Sequence, residues 1–283
     1  MDRKKRKKIQ KAIRLGIQML FLLAAPVVFT SAFAGVKYIF TQFAAGEMIA
    51  WNAFLKTLLA IGLFTMLFGR FFCGYACAFG TLGDILFMIS SGIQKKIKKK
   101  LPYMPKTVRH VLKKVKYVVL AGVSFSCLFG IYENFRGSSP WDVFSMLTSL
   151  RLPGRDYLIG VIILLFVMAG MAWEERFFCK YLCPMGGVFS LLPILPRSLY
   201  RRNRENCFPG CSACTRQCPV QVKIDGDSVD SGECIQCNQC LENCPKENIG
   251  TGFRKIRGNE IGWILGKAAV LFFVCIALHL IRW

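Results

Sequence analysis

The densest chemistry in this 283-residue chain is a run of thiols, Cys234-x2-Cys237-x2-Cys240-x3-Cys244-Pro245. Three closely spaced thiolates can wrap one iron–sulfur cubane while the fourth cysteine ligates a second one. The proline that follows fixes φ and directs the chain away. The run has an earlier copy, because Cys211, Cys214, Cys218 and Pro219 match Cys237, Cys240, Cys244 and Pro245 at an offset of 26. The copy opens Cys207-x3-Cys211, one residue longer than its partner, and Phe208-Pro209-Gly210 offers a turn that absorbs the extra residue. A crossed assignment follows. Cys207, Cys211, Cys214 and Cys244 would hold one 4Fe–4S cluster, and Cys218, Cys234, Cys237 and Cys240 the other. Zinc is the plainer reading of Cys211-x2-Cys214 and Cys234-x2-Cys237, but it leaves four cysteines and both prolines unexplained.

A second pair of thiol motifs is less specific. Arg70-Phe71-Phe72-Cys73-Gly74-Tyr75-Ala76-Cys77 repeats as Arg176-Phe177-Phe178-Cys179-Lys180-Tyr181-Leu182-Cys183, offset by 106, with Gly80 matching Gly186. On a continuous helix each pair would share one face at i and i+4. If the copies pack about a pseudo-twofold axis, Cys73, Cys77, Cys179 and Cys183 converge on an additional iron or iron–sulfur site. A redox-active disulfide and simple packing are the alternatives. Arg70 and Arg176 are either cations that offset thiolate charge or ordinary basic flanks of membrane helices. Cys127 and Cys275 stand alone in apolar segments and read as small buried hydrophobes.

These motifs need elements to position them. The chain is 54% hydrophobic yet carries a net charge of +22, a conflict that a membrane protein resolves. Five apolar segments approach spanning length: 13–36, 51–72, 117–133, 157–174 and 261–281. The basic blocks at 1–14 and 92–116 abut these segments, so they read as cytoplasmic flanks and not as nucleic-acid contacts. That orientation places 37–50 and 134–156 outside, 175–260 in the cytoplasm and Trp283 outside. Span 1 with Ala32-Phe33-Ala34 resembles a cleavable leader, but its apolar stretch is long, which favours a retained helix. The apolar pieces 81–93 and 187–196 are too short to cross and should lie along the interface or re-enter. With only His110 and His279 in the chain, paired axial ligation of intramembrane haem is not expected. Glu133, Arg136, Trp141 and Asp142 in the outer loop could shape a quinol or partner site, although aromatic residues also collect at interfaces without function.

Paired Cys-x3-Cys motifs after membrane helices, followed by a two-cluster module, resemble the quinol-dehydrogenase membrane subunit of periplasmic nitrate reductase systems. They are also similar to the membrane regions of the nitrous-oxide reductase regulator and of oxidase-assembly iron–sulfur proteins. The resemblance implies two 4Fe–4S clusters on the eight ferredoxin-type cysteines. Two departures stand out. Ala78 follows the first pair where the family usually has Pro, whereas Pro184 is kept. A fifth span also exceeds the usual four, and any flavin is expected on a partner protein.

The expected fold is an all-α polytopic membrane protein with about five transmembrane helices, an internal two-helix repeat and a small α+β two-cluster ferredoxin-like domain. Its expected parts are 1–200 (four spans and both Cys-x3-Cys motifs), 201–255 (the 4Fe–4S domain) and 256–283 (a C-terminal span). The expected role is electron transfer at the cytoplasmic membrane, as an oxidoreductase component. Electrons would pass between a cytoplasmic or quinol donor and a membrane or extracytoplasmic partner. The partners would be lipid, quinone or quinol, and a flavin-binding or other redox protein, with no nucleic acid. The alternative is an assembly or redox-sensing protein for a partner metalloenzyme.

Overall fold

Proline decides the shape of the first element. In the computed structural model, which describes residues 3–99, 101–102, 104–203, 205–222, 232–251 and 260–281, helix α1 (Arg3–Ala24) stops just before Pro26. Helix α2 (Val28–Ala45) restarts beyond it at a bend of 62°. A proline removes one backbone donor and clashes with the preceding turn. The single span expected at 13–36 is therefore two helices at an angle.

Two copies of one motif follow. Asn52 caps α3 (Ala53–Phe68), its side chain accepting from the Leu55 amide at 2.8 Å. The one-turn helix α4 (Phe71–Tyr75) and then α5 (Ala78–Lys96) complete the first copy. α6 (Lys106–Leu128) starts inside the basic loop and absorbs the third apolar segment, so that segment ends at Leu128 and not at 133. The outer loop forms a 3₁₀ turn and α7 (Pro140–Thr148). The second copy is α8 (Leu158–Trp173), the one-turn α9 (Phe177–Tyr181) and α10 (Pro184–Leu191). Pro184 and Ala78 occupy equivalent first positions of their helices, where proline is favoured and alanine is tolerated, so the Ala78 departure leaves the geometry intact. The piece expected at 81–93 is the body of the 19-residue α5, and the first half of that at 187–196 is the end of α10.

Among the described residues, one helix is long and apolar enough to cross a membrane: Arg155–Trp173, with a mean hydropathy of 2.1. The bent α1–α2 pair passes the same test as one broken span, and α3 and Ile261–Ala277 are shorter apolar helices. The apolar faces are turned outward. Leu158, Ile159, Ile162, Leu165 and Phe166 are exposed on α8, and Leu59, Leu63 and Leu67 on α3. Val270, Phe273 and Ile276 are exposed on α13 (Glu260–Ala277).

The described residues are mostly helical, with one two-stranded antiparallel sheet among them. β1 (Tyr200–Arg202) pairs with β2 (Ile249–Thr251), Arg201 opposite Gly250, and so closes the ends of the thiol-rich segment. Between them, α11 (Ala213–Arg216) and α12 (Gln239–Asn243) are single turns. At the centre of the helical part the rings of Phe79 and Phe178 stack at 4.6 Å, with Phe144 and Phe29 against Phe79 at 3.9 and 5.2 Å. Cys127 and Cys275 are buried packing residues. Trp283 and the side chain of Arg136 lie outside the described residues.

Candidate iron–sulfur sites

The thiol-rich segment wraps two cavities. One, of about 360 Å³, is lined by Cys218, Cys234, Cys237 and Cys240. The other, of about 290 Å³, is lined by Cys207, Cys211, Cys214 and Cys244. The two linings are the two crossed sets, each borrowing its fourth cysteine from the other half of the repeat. The backbone explains the exchange. Gly210 and Gln236, one repeat apart, turn at φ of 68° and 55°; Gln221 and Glu247, also one repeat apart, turn at 54° and 50°. These left-handed residues bend the chain sharply around and after each set of thiols. The Val222 amide donates to Cys218 Sγ at 3.4 Å, and the Asn248 amide donates to Cys244 Sγ at 3.3 Å in the same role. Gly210 keeps the left-handed turn that Gln236 makes in the shorter copy, so the extra residue after Cys207 lies before it, in Phe208-Pro209.

Each cavity fits a cubane better than an ion. Among the described residues no group of three or more Cys, His, Asp or Glu is close enough to hold a single metal ion. A cubane holds its thiolates farther apart than one ion does, and four sulfurs around an apolar void meet that need. Burial pushes the Cys234 thiol up to about 11 and the Cys237 thiol up to about 12. Arg202 Nη1 donates to Cys214 Sγ at 3.5 Å beside the other cavity. The cavity around Cys234 is called proximal below, and the one around Cys207 distal.

The four remaining clustered cysteines are brought together, but not along continuous helices. Cys73 and Cys179 lie inside the one-turn helices, whereas Cys77 and Cys183 are extended residues that cap α5 and α10. The i, i+4 arrangement on one helix face is thus corrected: the chain breaks at Ala76 and Leu182, and the second thiol sits at a helix start. Cys183 Sγ accepts from the Gly186 amide at 3.2 Å. All four thiols are buried.

The two arginines change places. Arg176 Nη1 donates to the Cys73 carbonyl at 2.6 Å, and Nη2 to the Gly74 carbonyl at 3.1 Å and to Asp84 at 2.6 Å. A Cβ at Gly80 would collide with that guanidinium. Reciprocally, a Cβ at Gly186 would sit 3.1 Å from Arg70 Nη2. Each arginine therefore rests on the glycine of the other repeat, and both are about 1% exposed, which rules out the flanking-charge reading.

The module is keyed into the first repeat through residues 232–238. A side chain at Gly74 would collide with the Ile235 carbonyl. Asn238 Nδ2 donates to the Tyr75 hydroxyl at 3.0 Å. Glu233 takes hydrogen bonds from Arg70, at 3.4 Å, and from Lys116 and Tyr117. Burial alone would push the Glu233 carboxyl up, but Arg70 and Lys116 more than reverse this and hold it below the ordinary range. Glu174 ties the second repeat to the module, accepting from Lys180 and from Gln221 at 2.7 Å each. Asp84, Glu174, Glu233, Asn238 and Lys267 are contributors that the motif reading did not single out. Asp84 and Lys267 carry a signal, since each is a lone charge within an apolar stretch. Of the outer-loop residues, Trp141 packs on Phe33 at 5.3 Å and Asp142 faces Lys37 at 3.8 Å, while Glu133 is exposed. His110 and His279 are both exposed.

The family described as "4Fe-4S binding domain" matches residues 53–100 and 157–202, which are the two helical repeats. An uncharacterized protein of Methanocaldococcus jannaschii is 31% identical over 231 residues, covering 81% of this chain and 82% of that protein. The chain belongs to the 4Fe–4S ferredoxin-type electron-transport and regulatory family. Within this family, the regulatory protein NosR of Pseudomonas aeruginosa is 26% identical over 205 residues, 69% of this chain and 27% of NosR. The methylamine utilization ferredoxin-type protein MauN of Methylobacillus flagellatus is 22% identical over 192 residues, 67% of this chain and 61% of MauN. No solved structure matches the chain. Family membership makes it an iron–sulfur protein with a 4Fe–4S electron-transfer role.

Proposed function

We propose that the chain is a membrane-integral electron-transfer protein that holds two 4Fe–4S clusters and a further iron or iron–sulfur centre. The observation that carries this reading is the pair of cavities, each lined by one crossed set of four cysteines. Cys207, Cys211, Cys214 and Cys244 would hold the distal cluster, and Cys218, Cys234, Cys237 and Cys240 the proximal one. Each cubane, when bound, carries one electron at a time. Cys73, Cys77, Cys179 and Cys183 would hold the third centre, with Arg70 and Arg176 offsetting its negative charge. The proximal set lies against the Cys73 loop, because Gly74 touches Ile235. That contact supports an order of distal, proximal and membrane-embedded centres.

The membrane reading is supported by the outward apolar faces of α3, α8 and α13. We assign residues 1–200 and 256–283 to a polytopic membrane part of about five spans and residues 201–255 to the ferredoxin-type domain. Both basic blocks pack against this domain. Lys7 donates to Asn243 at 2.9 Å, and Lys113 to the Gln221 carbonyl at 3.1 Å. The basic blocks and the module thus share one side, which the positive-inside rule makes cytoplasmic. The electron donor or acceptor would be quinol or quinone, or a flavin-binding or other redox protein.

Iron and sulfide analysis with EPR of the dithionite-reduced protein tests the proposal. Eight iron atoms in two cubanes, plus the third centre's own iron, are expected per chain; fewer than eight sinks the two-cluster assignment. A second reading, a redox-sensing or assembly protein for a partner metalloenzyme, is favoured by the likeness to a protein named as regulatory. Steady quinol oxidation or partner reduction in liposomes separates the two.

A further inference from the structure

Three lysines are buried among the described residues. Lys116 is paired with Glu233 and Lys180 with Glu174. Lys267 differs, because no carboxylate among the described residues pairs with it. It sits on the packing face of α13, with Ile264, Ala268 and Leu271, and is 4% exposed. Its Nζ donates to Gln236 Oε1 at 3.0 Å and lies over the rings of Phe71 and Trp263 at 5.0 and 5.4 Å. Gln236 stands between Cys234 and Cys237, and its own Nε2 is fixed on the Ser198 carbonyl at 2.6 Å. The ammonium is thereby pinned to the loop that wraps the proximal cavity. Cys234, two residues before Gln236, lies within electrostatic reach of the ammonium and carries negative charge once it ligates a cluster.

A buried ammonium with only neutral partners is strongly disfavoured. An apolar helix that keeps one on its packing face needs a negative charge nearby. We infer that Lys267, positioned by Gln236, is the counter-charge of the proximal cluster and raises that cluster's reduction potential. The inference rests on the two-cluster reading above. One-electron reduction adds a unit of negative charge to the cluster and its thiolates, so a fixed cation beside them favours the reduced form. Arg70 also faces Cys234, but its charge is shared with Glu233. Gln236, which holds Lys267, belongs to the loop of the proximal cavity, whereas the distal cavity has Arg202 beside it. Of the two ferredoxin-type clusters, the effect of Lys267 therefore falls chiefly on the proximal one.

The test is a redox titration of the full-length protein in detergent, followed by EPR, for wild type, Lys267→Met, Lys267→Gln and Lys267→Arg. The neutral variants should move one midpoint to more negative potential and leave the other in place, while Lys267→Arg stays near wild type. The signal that moves should be the one that disappears in Cys218→Ala. Neutral variants that retain both clusters with unmoved midpoints overturn the inference, as does an equal shift of both. If the neutral variants lose only the proximal cluster and Lys267→Arg retains it, the charge requirement is upheld. Loss in all three variants makes Lys267 a packing residue and overturns it. Wild-type iron short of two cubanes removes the parent reading and this inference with it.

Discussion

In the proposed crossed assignment, a cysteine belongs to a cluster whose other ligands lie in a different motif. That makes the crossing testable one residue at a time. Removing Cys218 should abolish the same EPR signal as removing Cys234, although the two lie in different halves of the repeat. Removing Cys244 should abolish the signal lost with Cys211. If each half instead served its own cluster, Cys218 would pair with Cys211, and the spectra of the single alanine variants would say so. The grouping of the thiols around the two cavities was legible in the spacing, because a ligand run with an outgoing fourth cysteine has few other uses. Glu233 was not legible, since nothing in its type or neighbours marks it. It matters because it is the carboxylate that holds two buried cations, Arg70 and Lys116. Glu233→Gln takes the carboxylate from both and leaves Lys116 without one, and the expected loss is about 3 kcal/mol of stability. Thermal unfolding of the loaded protein measures it, and an Arg70→Met/Glu233→Gln double variant should recover part of the loss.

At the scale of elements, the module docks on the helical part by close backbone approach, and Gly74 is where the two surfaces meet. A side chain there meets the Ile235 carbonyl, which is backbone and has little room to yield. Gly74→Ala should cost about 1–3 kcal/mol and loosen the module. Limited proteolysis should cut it faster between residues 202 and 211. Gly92→Ala is the control, because nothing lies within 4 Å of its added Cβ and alanine favours the surrounding α5. The repeat itself was readable from Arg70–Cys77 and Arg176–Cys183, and it returns as α3–α4–α5 and α8–α9–α10, although α10 has 8 residues where α5 has 19. What periodicity could not give was the break inside each copy. A five-residue helix followed by an extended cysteine looks like a continuous helix in sequence, because every residue involved tolerates helical geometry. Pro26 did mark its break, yet an apolar segment read for length alone runs through it.

For the whole molecule, the decisive question is which face each centre meets. The basic start and the 92–116 loop are both held on the thiol-rich module, through Lys7 with Asn243 and Lys113 with Gln221. The opposite end carries the 46–52 turn and the 131–157 loop, where Lys37 bonds the Tyr132 hydroxyl at 2.9 Å. A chain built this way holds its cluster ligands at one face and places an aromatic loop at the other, joined by apolar helices whose outer surfaces face away from the core. If it carries electrons, the reaction it serves should depend on sidedness. In sealed liposomes with the module outside, an impermeant reductant added outside should reduce both ferredoxin-type clusters within the mixing time. The same reductant trapped inside should reduce them slowly unless a quinone pool is present. A labelled cysteine placed at Gly46 should then react only with a reagent trapped inside. If Gly46 and the module are labelled from the same side, the helices do not carry the chain across. The third centre at Cys73, Cys77, Cys179 and Cys183 would then be a buried store of charge and not a step on a path through the bilayer.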